Sequence, residues 1–321
     1  EVTPGVSIVI AARDEEASIR ACLASVLVCE YPHYEVIVVD DGSSDSTAEI
    51  VESIQEAAKD QPPPLRIVRS SHHSDGIGKV AAVALGIRAS AEDVIVTLDA
   101  DCRVRRGWLR AMVRMLDHDV GFVAGPVAYA PTNSIARRVE ALEFMSLIGV
   151  GAGAIGLNEP LICNSANAAY RRSVYDELQT SGRLESSTAA DELLMNYVHA
   201  ETSLGVAFCA APDALVTTLG AEGVGHFVRQ RMRWASIVRH LPVGHGLSLG
   251  VAYLFFLTVA ASLVGGLWVA ELGYAGLAAL FVKGLADSRV LFPICRHFGR
   301  QELLRVVPVA ETLYIPYALL V

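Results

Sequence analysis

From residue 6 to about residue 200 the chain alternates between short apolar runs rich in β-branched side chains and longer amphipathic stretches. Short apolar runs bounded by turn residues are typical of buried strands. The predicted strands are Val6–Ala11, Glu35–Val39, Leu65–Arg69 and Asp93–Leu98. The predicted helices begin after Glu16 and at Asp45 or Ser46, and a third covers Lys79–Arg88. Such an alternation with short connections predicts an α/β fold with a mostly parallel sheet and right-handed crossovers.

The C-terminal part of the chain is apolar without this alternation. Leu247–Ala270 is a run of 24 residues without a formal charge, and a helix that crosses a membrane needs about 20 residues. Shorter apolar runs follow at Leu272–Val282 and Val306–Val321. We therefore expect two or three transmembrane helices. The second run is short and is followed by Lys283 and Asp287, so a re-entrant or interfacial segment is an alternative there.

Composition and charge narrow the class of protein. The hydrophobic content of 52% and the mean hydropathy of +0.40 are high for a soluble enzyme. The net charge of −9 argues against a nucleic-acid partner, which would require a basic surface. Basic residues nevertheless cluster beside the apolar runs, at Arg229–Arg233 and between Arg289 and Arg305. By the positive-inside tendency, these clusters and the N-terminal domain face the cytoplasm, which predicts a multi-pass protein of the inner (plasma) membrane.

The cysteines and the chain ends add two expectations. The six cysteines form no CxxC pair and no zinc-like spacing, which indicates a reducing compartment. The chain starts at Glu1 without a methionine and stops at Val321 inside an apolar run. We expect it to be truncated at both ends, which leaves room for a preceding transmembrane helix.

Asp99 and Asp101 form a D-x-D pair directly after a predicted strand. Side chains at positions i and i+2 of a strand point the same way, so both carboxylates can meet one divalent cation at the sheet edge. Mg2+ held by one or two carboxylates usually completes its shell with substrate phosphates. Aspartate is also common after strands as a turn residue, and this alternative stays open for the pair taken alone.

Polar clusters follow three of the predicted strands, where parallel sheets bind their ligands. The clusters are Arg13 with Glu15, Asp40 with Asp41, and Asp99 with Asp101. Their coincidence makes a role in turns alone a weaker explanation. Neither a P-loop around Gly78 nor a dinucleotide fingerprint after the first strand is present. Lys79, at the predicted start of a helix, is placed to meet an anionic ligand; the alternative is a solvated lysine at a helix start.

Several motifs occur in order over roughly residues 5–240. They are Ser7–Glu16, Val38–Thr47, Gly78–Lys79, Asp99–Cys102, Asn164–Arg171, Ala190–Leu194 and Gln230–Trp234. Together they resemble the family 2 glycosyltransferases, whose membrane-bound members also carry a hydrophobic tail. The resemblance implies a Rossmann-like GT-A catalytic domain over residues 1–236, followed by a membrane region over residues 237–321.

The resemblance also implies a nucleotide-sugar site. The implied donor-binding residues are Ala11, Arg13, Glu15, Asp40, Asp41, Lys79 and Asp99, and the implied ligands of Mg2+ or Mn2+ are Asp99 and Asp101. Asp41 would bind the base and Lys79 would lie near the base or the diphosphate. Asp101 would bind the metal that bridges the diphosphate, and Asp99 would hold the ribose, the sugar or the metal shell. The metal would stabilise the charge that develops on the leaving group.

By the same resemblance Asp191 is the general base, which deprotonates an acceptor hydroxyl for an inverting single displacement. Such a base works best with a raised pKa, which a partly dry cleft can supply. The alternative is an N-cap for the apolar helix that follows, and the two roles are compatible. The family usually has a second acidic residue directly before this aspartate, whereas this chain has Ala190. That difference affects acceptor positioning or rate more than the base itself.

Gln230, Arg233 and Trp234 match the Q-x-x-R-W motif of membrane-bound members. A guanidinium group suits diphosphate recognition, and the indole offers a stacking surface for a sugar acceptor. The alternative is a belt of Arg and Trp at the lipid headgroups.

We therefore expect a metal-dependent, inverting glycosyltransferase of the hexosyltransferase type. The expected donor is a nucleotide sugar, with a UDP-sugar favoured, and the expected acceptor is a membrane lipid or a lipid-linked glycan. One alternative is a processive polysaccharide synthase, because the Q-x-x-R-W motif also occurs in cellulose- and chitin-synthase-like members. An alternative of another class is a non-catalytic nucleotide-sugar-binding membrane protein, motivated by Ala190.

Overall fold

The computed structural model describes residues 3–70, 78–184, 190–220, 231 and 243–320, with side chains in the last range from 250 to 319. The chain divides into two compact units. The first comprises residues 1–129 and 150–219, and the second comprises residues 130–149 and 220–321. The predicted domain boundary at residue 236 lies outside the described residues and stays a prediction.

The first unit contains the strands and most of the shorter helices. The strands are β1 (Val6–Ala12), β2 (Tyr34–Asp40), β3 (Leu65–Arg69), β4 (Val94–Asp99), β5 (Val120–Ala124), β6 (Val127–Tyr129), β7 (Asn167–Arg171), β8 (Gly205–Phe208) and β9 (Val216–Thr218). The helices up to residue 201 are α1 (Ile19–Val26), α2 (Thr47–Ala58), α3 (Lys79–Ala89), α4 (Trp108–Val113), α5 (Ile135–Gly156), α6 (Arg172–Thr180) and α7 (Ala190–Glu201). Helix α5 begins in the second unit and ends in the first.

Seven strands form one mixed sheet in the order β3-β2-β1-β4-β7-β5-β8, and β6 pairs with β9 in a separate parallel ribbon. The half formed by β3, β2, β1 and β4 is parallel throughout. Strand β7 runs antiparallel to both of its neighbours, β4 and β5. The predicted α/β fold with a mostly parallel sheet is confirmed, and all four predicted strands are present.

The central strand β1 is covered on both faces. Val6, Ile8, Val9 and Ile10 have no solvent exposure, as expected for a strand of a parallel sheet with helices on either side. Helix α3 approaches this sheet closely at Gly86, where an added Cβ would lie 2.4 Å from Cγ1 of Val9. The lack of a side chain at this position is what allows the helix to pack at that distance.

The second unit contains the C-terminal helices α8 (Val243–Gly265), α9 (Ala270–His297) and α10 (Val307–Leu320), with a short 3-10 segment at Gln301–Val306. The predicted apolar helices are therefore present, but the second predicted run is part of a helix of 28 residues that continues through Lys283 and Asp287. Within the described residues, α5 alone is long and apolar enough to cross a membrane, and Gly250–Gly265 is apolar but shorter. One such helix is weak evidence, because the core helix of a soluble protein meets the same criterion.

A buried carboxylate joins the amino ends of β1 and β2, at the end of the sheet opposite to the predicted site. One oxygen of Glu35, Oε1, accepts hydrogen bonds from Ser7 Oγ and from the backbone N–H of Ala91, each at 2.7 Å. The other oxygen, Oε2, accepts from Arg66 Nη2 at 2.6 Å. Burial opposes the charged form, but these donors outweigh burial and hold the pKa of Glu35 below its ordinary value.

We expect Glu35→Gln to lower the free energy of unfolding by about 1–3 kcal/mol at neutral pH, because a neutral amide cannot replace the charged acceptor of Arg66. A lowered pKa in the folded state means that the carboxylate stabilises the fold above the ordinary pKa of glutamate, about 4.3, and that this stabilisation is lost as the pH falls below it. The difference between wild type and variant, measured by denaturant unfolding, should therefore shrink in acid.

The matched control is Glu52→Gln, which removes an exposed ion pair with Arg69. Pairs of this kind contribute about 0–1 kcal/mol. Equal losses in the two variants would contradict the structural role assigned to Glu35.

Candidate active site

The predicted site residues come together because three strands end at the same edge of the sheet. Strand β1 lies between β2 and β4, with Ala12 opposite Asp40 and Ala11 opposite Asp99. The backbone N–H of Asp41 donates to the carbonyl oxygen of Ala12 at 2.9 Å and continues this pairing past the strand end. The parallel register thus brings residues from three separate motifs to one edge.

The loops after β1 and β2 are joined by side chains. Asp45 Oδ2 accepts from the backbone N–H of Glu16 at 3.0 Å, and Oδ1 accepts from the backbone N–H of Thr47 at 2.9 Å. The hydroxyl of Thr47 in turn accepts from the backbone N–H of Glu15 at 2.7 Å. Arg13, in the same loop, is exposed and lies 4.0 Å from Asp14. This network fixes the backbone from which the predicted nucleoside-pocket residues project.

Asp40 and Asp41 are buried, with 6% and 4% of their surface exposed. Asp40 Oδ1 accepts from the backbone N–H of Ser43 at 3.2 Å and so closes the turn after β2. Asp41 Oδ2 accepts from the backbone N–H of Gly78 at 3.0 Å. Gly78 has a φ of +83°, which favours glycine, and it directly precedes α3. Asp41 therefore contacts the start of the helix that carries Lys79.

Lys79 links two parts of the site. Its Nζ lies 2.5 Å from Asp99 Oδ1 and donates to Ser165 Oγ at 2.9 Å. Burial favours the neutral amine, but the negative charge of Asp99 outweighs burial and raises the pKa of Lys79. The ammonium group is therefore firmly charged and connects the end of β4 to the segment before β7.

Asp101 is held by the ribbon β6-β9. Its Oδ2 accepts from the hydroxyl of Thr218 at 2.6 Å, and its Oδ1 lies 3.6 Å from the thiol sulfur of Cys102. Burial raises the pKa of Asp101, and the charge of Asp99 adds to this effect. The carboxylate is therefore partly dehydrated.

The carboxylates at this edge of the sheet fit a magnesium or manganese ion that is also bound by substrate phosphates. Among the described residues, no group of three or more His, Cys, Asp or Glu is arranged to hold a metal ion on its own. A hard cation that bridges substrate phosphates needs only one or two carboxylates from the protein. Asp101 meets that requirement, whereas Asp99 is already paired with Lys79. The assignment of Asp99 and Asp101 as metal ligands stays a prediction.

Asp191 lies in the first turn of α7, and residues 185–189 before it are outside the described residues. Burial raises the pKa of Asp191 to about 7. The charge of Lys79 acts in the opposite direction, while Glu192 and Asp99 raise the pKa further. A carboxylate with this pKa exchanges a proton readily near neutral pH, which is what a general base requires.

The structure thus brings six predicted residues into one neighbourhood by pairing, hydrogen bonding or electrostatic interaction. These residues are Ala11, Asp40, Asp41, Lys79, Asp99 and Asp191. Asp101 and Glu15 interact electrostatically with each other at the same edge. Gln230, Arg233 and Trp234 lie outside the described residues, so their predicted contacts with acceptor or diphosphate stay predictions.

Two contacts at the site were not predicted. Ser165 is part of a predicted motif, but nothing in the sequence indicates that it meets Lys79. Thr218 is 117 residues away from Asp101 along the chain and belongs to no predicted motif. No local pattern could indicate this contact, because it depends on how the ribbon β6-β9 packs at the end of β4.

Comparison with protein families gives two matches. The chain matches the sequence profile of glycosyl transferase family 2 over residues 7–179 and that of glycosyl transferase family group 2 over residues 94–292.

Among characterised proteins, the chain is similar to poly-beta-1,6-N-acetyl-D-glucosamine synthases. It is 25% identical over 233 residues to that of Staphylococcus epidermidis and 26% identical over 240 residues to that of Staphylococcus aureus strain COL. Each alignment covers 72% of this chain and 54% of the relative. The chain thus spans about half the length of these relatives.

A solved structure has the same fold. It is a mannosyltransferase from Pyrobaculum calidifontis in complex with GDP-Man and Mn2+, and it superposes with a TM-score of 0.57 at 19% identity. The superposition covers 97% of this chain and 88% of the other. The mixed, mostly parallel sheet of this chain is therefore a GT-A-like fold.

We expect Asp45→Ala to loosen the two loops at the site without unfolding the sheet. The backbone amides of Glu16 and Thr47 lose their acceptor, and one lost hydrogen bond of about 1 kcal/mol corresponds to roughly fivefold faster amide exchange. Hydrogen exchange measured by mass spectrometry on peptides covering both loops should show this increase, while peptides from β4 and β7 should not change.

The control is Glu49→Ala, which removes an exposed carboxylate from the first turn of the same helix α2. If both variants speed exchange equally, charge at the helix start rather than the Asp45 network holds the loops.

Proposed function

Since the chain belongs to glycosyl transferase family 2, we propose that it transfers a sugar from a nucleotide-sugar donor to a hydroxyl of a membrane lipid or lipid-linked acceptor, with inversion at the anomeric carbon. The observation that carries this proposal is the carboxylate of Asp191, whose pKa is raised to about 7 beside the Lys79–Asp99 pair. One titratable base and one fixed cation at the same sheet edge suit a displacement that needs proton removal from the acceptor and charge stabilisation on the donor.

The donor is proposed to bind at the carboxyl ends of β1, β2 and β4. Asp41, with Asp40 beside it, accepts a hydrogen bond from the base, and Ala11, Arg13 and Glu15 line the nucleoside pocket. The network of Asp45 and Thr47 supports this assignment, because it fixes the backbone of Glu15. UDP-sugars are the first donors to test, and GDP-mannose follows because the mannosyltransferase with this fold is in complex with GDP-Man.

The diphosphate of the donor is proposed to lie between Lys79 and Asp101. A divalent metal held there by Asp101, with Asp99 nearby, supplies Lewis-acid stabilisation of the leaving nucleoside diphosphate. Lys79 orients the diphosphate through its ammonium group, which the pairing with Asp99 and Ser165 already fixes. Gln230, Arg233 and Trp234 are proposed to contact the diphosphate and the acceptor.

Asp191 is proposed to accept the proton of the acceptor hydroxyl as its oxygen attacks the anomeric carbon. The bond from that carbon to the diphosphate oxygen breaks on the opposite face, so a single displacement inverts the configuration. Ionised Asp191 is needed for this step, and Lys79 helps to keep it ionised because its charge lowers the pKa of Asp191.

The second unit is proposed to lie in the inner membrane, with the catalytic unit in the cytoplasm. Its helices expose large apolar side chains, with Val251, Leu277 and Phe281 exposed to 70%, 57% and 67%. Some of its ionisable side chains are paired and largely shielded from solvent. Lys283 is paired with Glu311 at 2.7 Å, and both side chains are 13% exposed. An apolar outer surface together with a shielded ion pair between helices supports a position of these helices in lipid.

A processive polysaccharide synthase is a second candidate. It is favoured by one observation, the similarity to poly-beta-1,6-N-acetyl-D-glucosamine synthases over 72% of this chain. In that case the acceptor is the growing glycan and the same base serves each addition. The size of the product separates this candidate from a single transfer.

The test of the proposed function is nucleoside-diphosphate release from a panel of UDP-sugars and GDP-mannose by membranes that contain the full-length protein. Native lipid extract serves as acceptor, with Mn2+ or Mg2+ present. We expect metal-dependent release from one donor, and a loss of at least about 100-fold in Asp191→Asn, because general-base catalysis contributes 10²–10⁴-fold.

The matched control is Asp176→Asn, which changes an exposed aspartate on α6 and should retain full activity. Radiolabelled product of lipid size supports single transfer, and a polymer supports the processive candidate. Donor binding without release in the presence of extract would favour the non-catalytic nucleotide-sugar-binding protein.

The pH dependence of turnover tests the role of Asp191 separately. Because the base must be ionised, kcat at saturating donor should rise with pH and level off above a midpoint near pH 7, the raised pKa of Asp191. Lys79→Met removes the cation that lowers this pKa, so the midpoint should move to higher pH.

The control for the pH experiment is Lys59→Met, which removes an exposed lysine at the end of α2. It should leave the midpoint unchanged. A midpoint near 4 in the wild type would contradict the assignment of Asp191 as a partly dehydrated base.

A further inference from the structure

The carboxylate of Asp101 accepts a well-formed hydrogen bond from a residue far along the chain. Thr218 Oγ1 donates to Asp101 Oδ2 at 2.6 Å, whereas the other acceptor near this hydroxyl, the carbonyl oxygen of Leu219, lies at 3.5 Å. The distances show that the hydroxyl hydrogen is directed to Asp101. On the other oxygen, the thiol of Cys102 at 3.6 Å is a weak donor.

The backbone of Thr218 is fixed by strand pairing. It ends β9, which pairs in parallel with β6 from Val127↔Val216 to Tyr129↔Thr218. The preceding residue, Thr217, exchanges both backbone hydrogen bonds with Arg103, at 2.8 and 3.0 Å. The backbone that follows Asp101 is therefore tied to the same strand that supplies the hydroxyl. This backbone pairing fixes the position of Thr218 relative to Asp101.

We propose that Thr218 is a positioning residue that holds the Asp101 carboxylate in the orientation in which it binds the divalent metal. This inference rests on the proposed function, because it takes Asp101 as a metal ligand. A carboxylate oxygen has more than one acceptor site, so the hydroxyl of Thr218 fixes the rotation of the group and still leaves Oδ1 and part of Oδ2 for a cation. Without this donor the Asp101 carboxylate loses the hydrogen bond that restricts its rotation. Metal binding then has to restrict that rotation itself, which lowers the affinity.

The chemistry of the side chain makes the inference specific. Serine retains the hydroxyl, and valine retains the shape of threonine without the donor. Hydrogen-bond partners of metal ligands typically change metal affinity by 10–100-fold when they are removed. We therefore expect Thr218→Val to weaken Mn2+ binding by about tenfold or more, and Thr218→Ser to restore it to within about threefold of the wild type.

The experiment is a titration of Mn2+ into the full-length protein in detergent, with free Mn2+ measured by electron paramagnetic resonance. The probes are Mn2+ with UDP and Mn2+ with GDP, in parallel. The variants are Thr218→Val, Thr218→Ser, Asp101→Asn and Thr217→Val. Thr217→Val is the matched control, because it alters the neighbouring threonine on the same strand, whose hydroxyl lies 3.4 Å from the carbonyl oxygen of Arg103.

A second readout separates positioning from a general loss of structure. In the release assay, Thr218→Val should raise the Mn2+ concentration for half-maximal activity by about the same factor, while kcat at saturating Mn2+ stays close to that of the wild type. Thr217→Val should change neither quantity.

The outcomes distinguish the inference from the proposed function. If Asp101→Asn abolishes nucleotide-dependent Mn2+ binding and Thr218→Val binds like the wild type, the positioning role is wrong and the metal site stands. Equal weakening by Thr218→Val and Thr217→Val also overturns the role, because the effect then belongs to the strand. If the wild type shows no Mn2+ binding that depends on Asp101 with either nucleotide, the metal site of the proposed function fails, and the role of Thr218 fails with it.

Discussion

The site depends on the parallel register of one strand with its two neighbours. Because β1 lies between β2 and β4, and all three run in the same direction, the residues that follow them meet at one edge. A shift of one residue in either pairing would turn alternate side chains to the other face and separate Asp40 from Ala12 or Asp99 from Ala11. The burial of β1 on both faces makes such a shift costly, so packing in the core sets the geometry of the polar edge.

Much of this edge of the sheet could be predicted from the sequence, because each polar cluster directly follows its own strand along the chain. Each cluster follows an apolar run, and the chain direction of a parallel sheet then places the clusters together without further information. The contacts of Thr218 and Ser165 could not be predicted, because they join segments that are far apart in sequence. Strand β7 runs antiparallel to both β4 and β5, and no periodicity in its sequence indicates this direction.

The second unit follows a different physical rule from the first. In the catalytic unit apolar residues are buried between helices and sheet, whereas in the second unit the most exposed side chains include many apolar ones. Arg231, 2% exposed, is paired with Glu143 of α5 at 2.7 Å, so this ion pair lies where other side chains surround it. Composition alone predicted an apolar region, but only the structure shows that large apolar side chains are exposed while the Arg231–Glu143 and Lys283–Glu311 pairs are shielded.

One cation gives different properties to two carboxylates at the same edge. Lys79 forms its direct contact with Asp99, at 2.5 Å, and acts on Asp191 through the electrostatic field alone. A direct pair with Asp191 would lower the pKa of that group and make it a weaker base. Without any cation nearby, burial would raise the pKa further and leave the group protonated at neutral pH. Pairing with Asp99 therefore keeps Asp191 in the range in which a buried carboxylate can both lose and accept a proton.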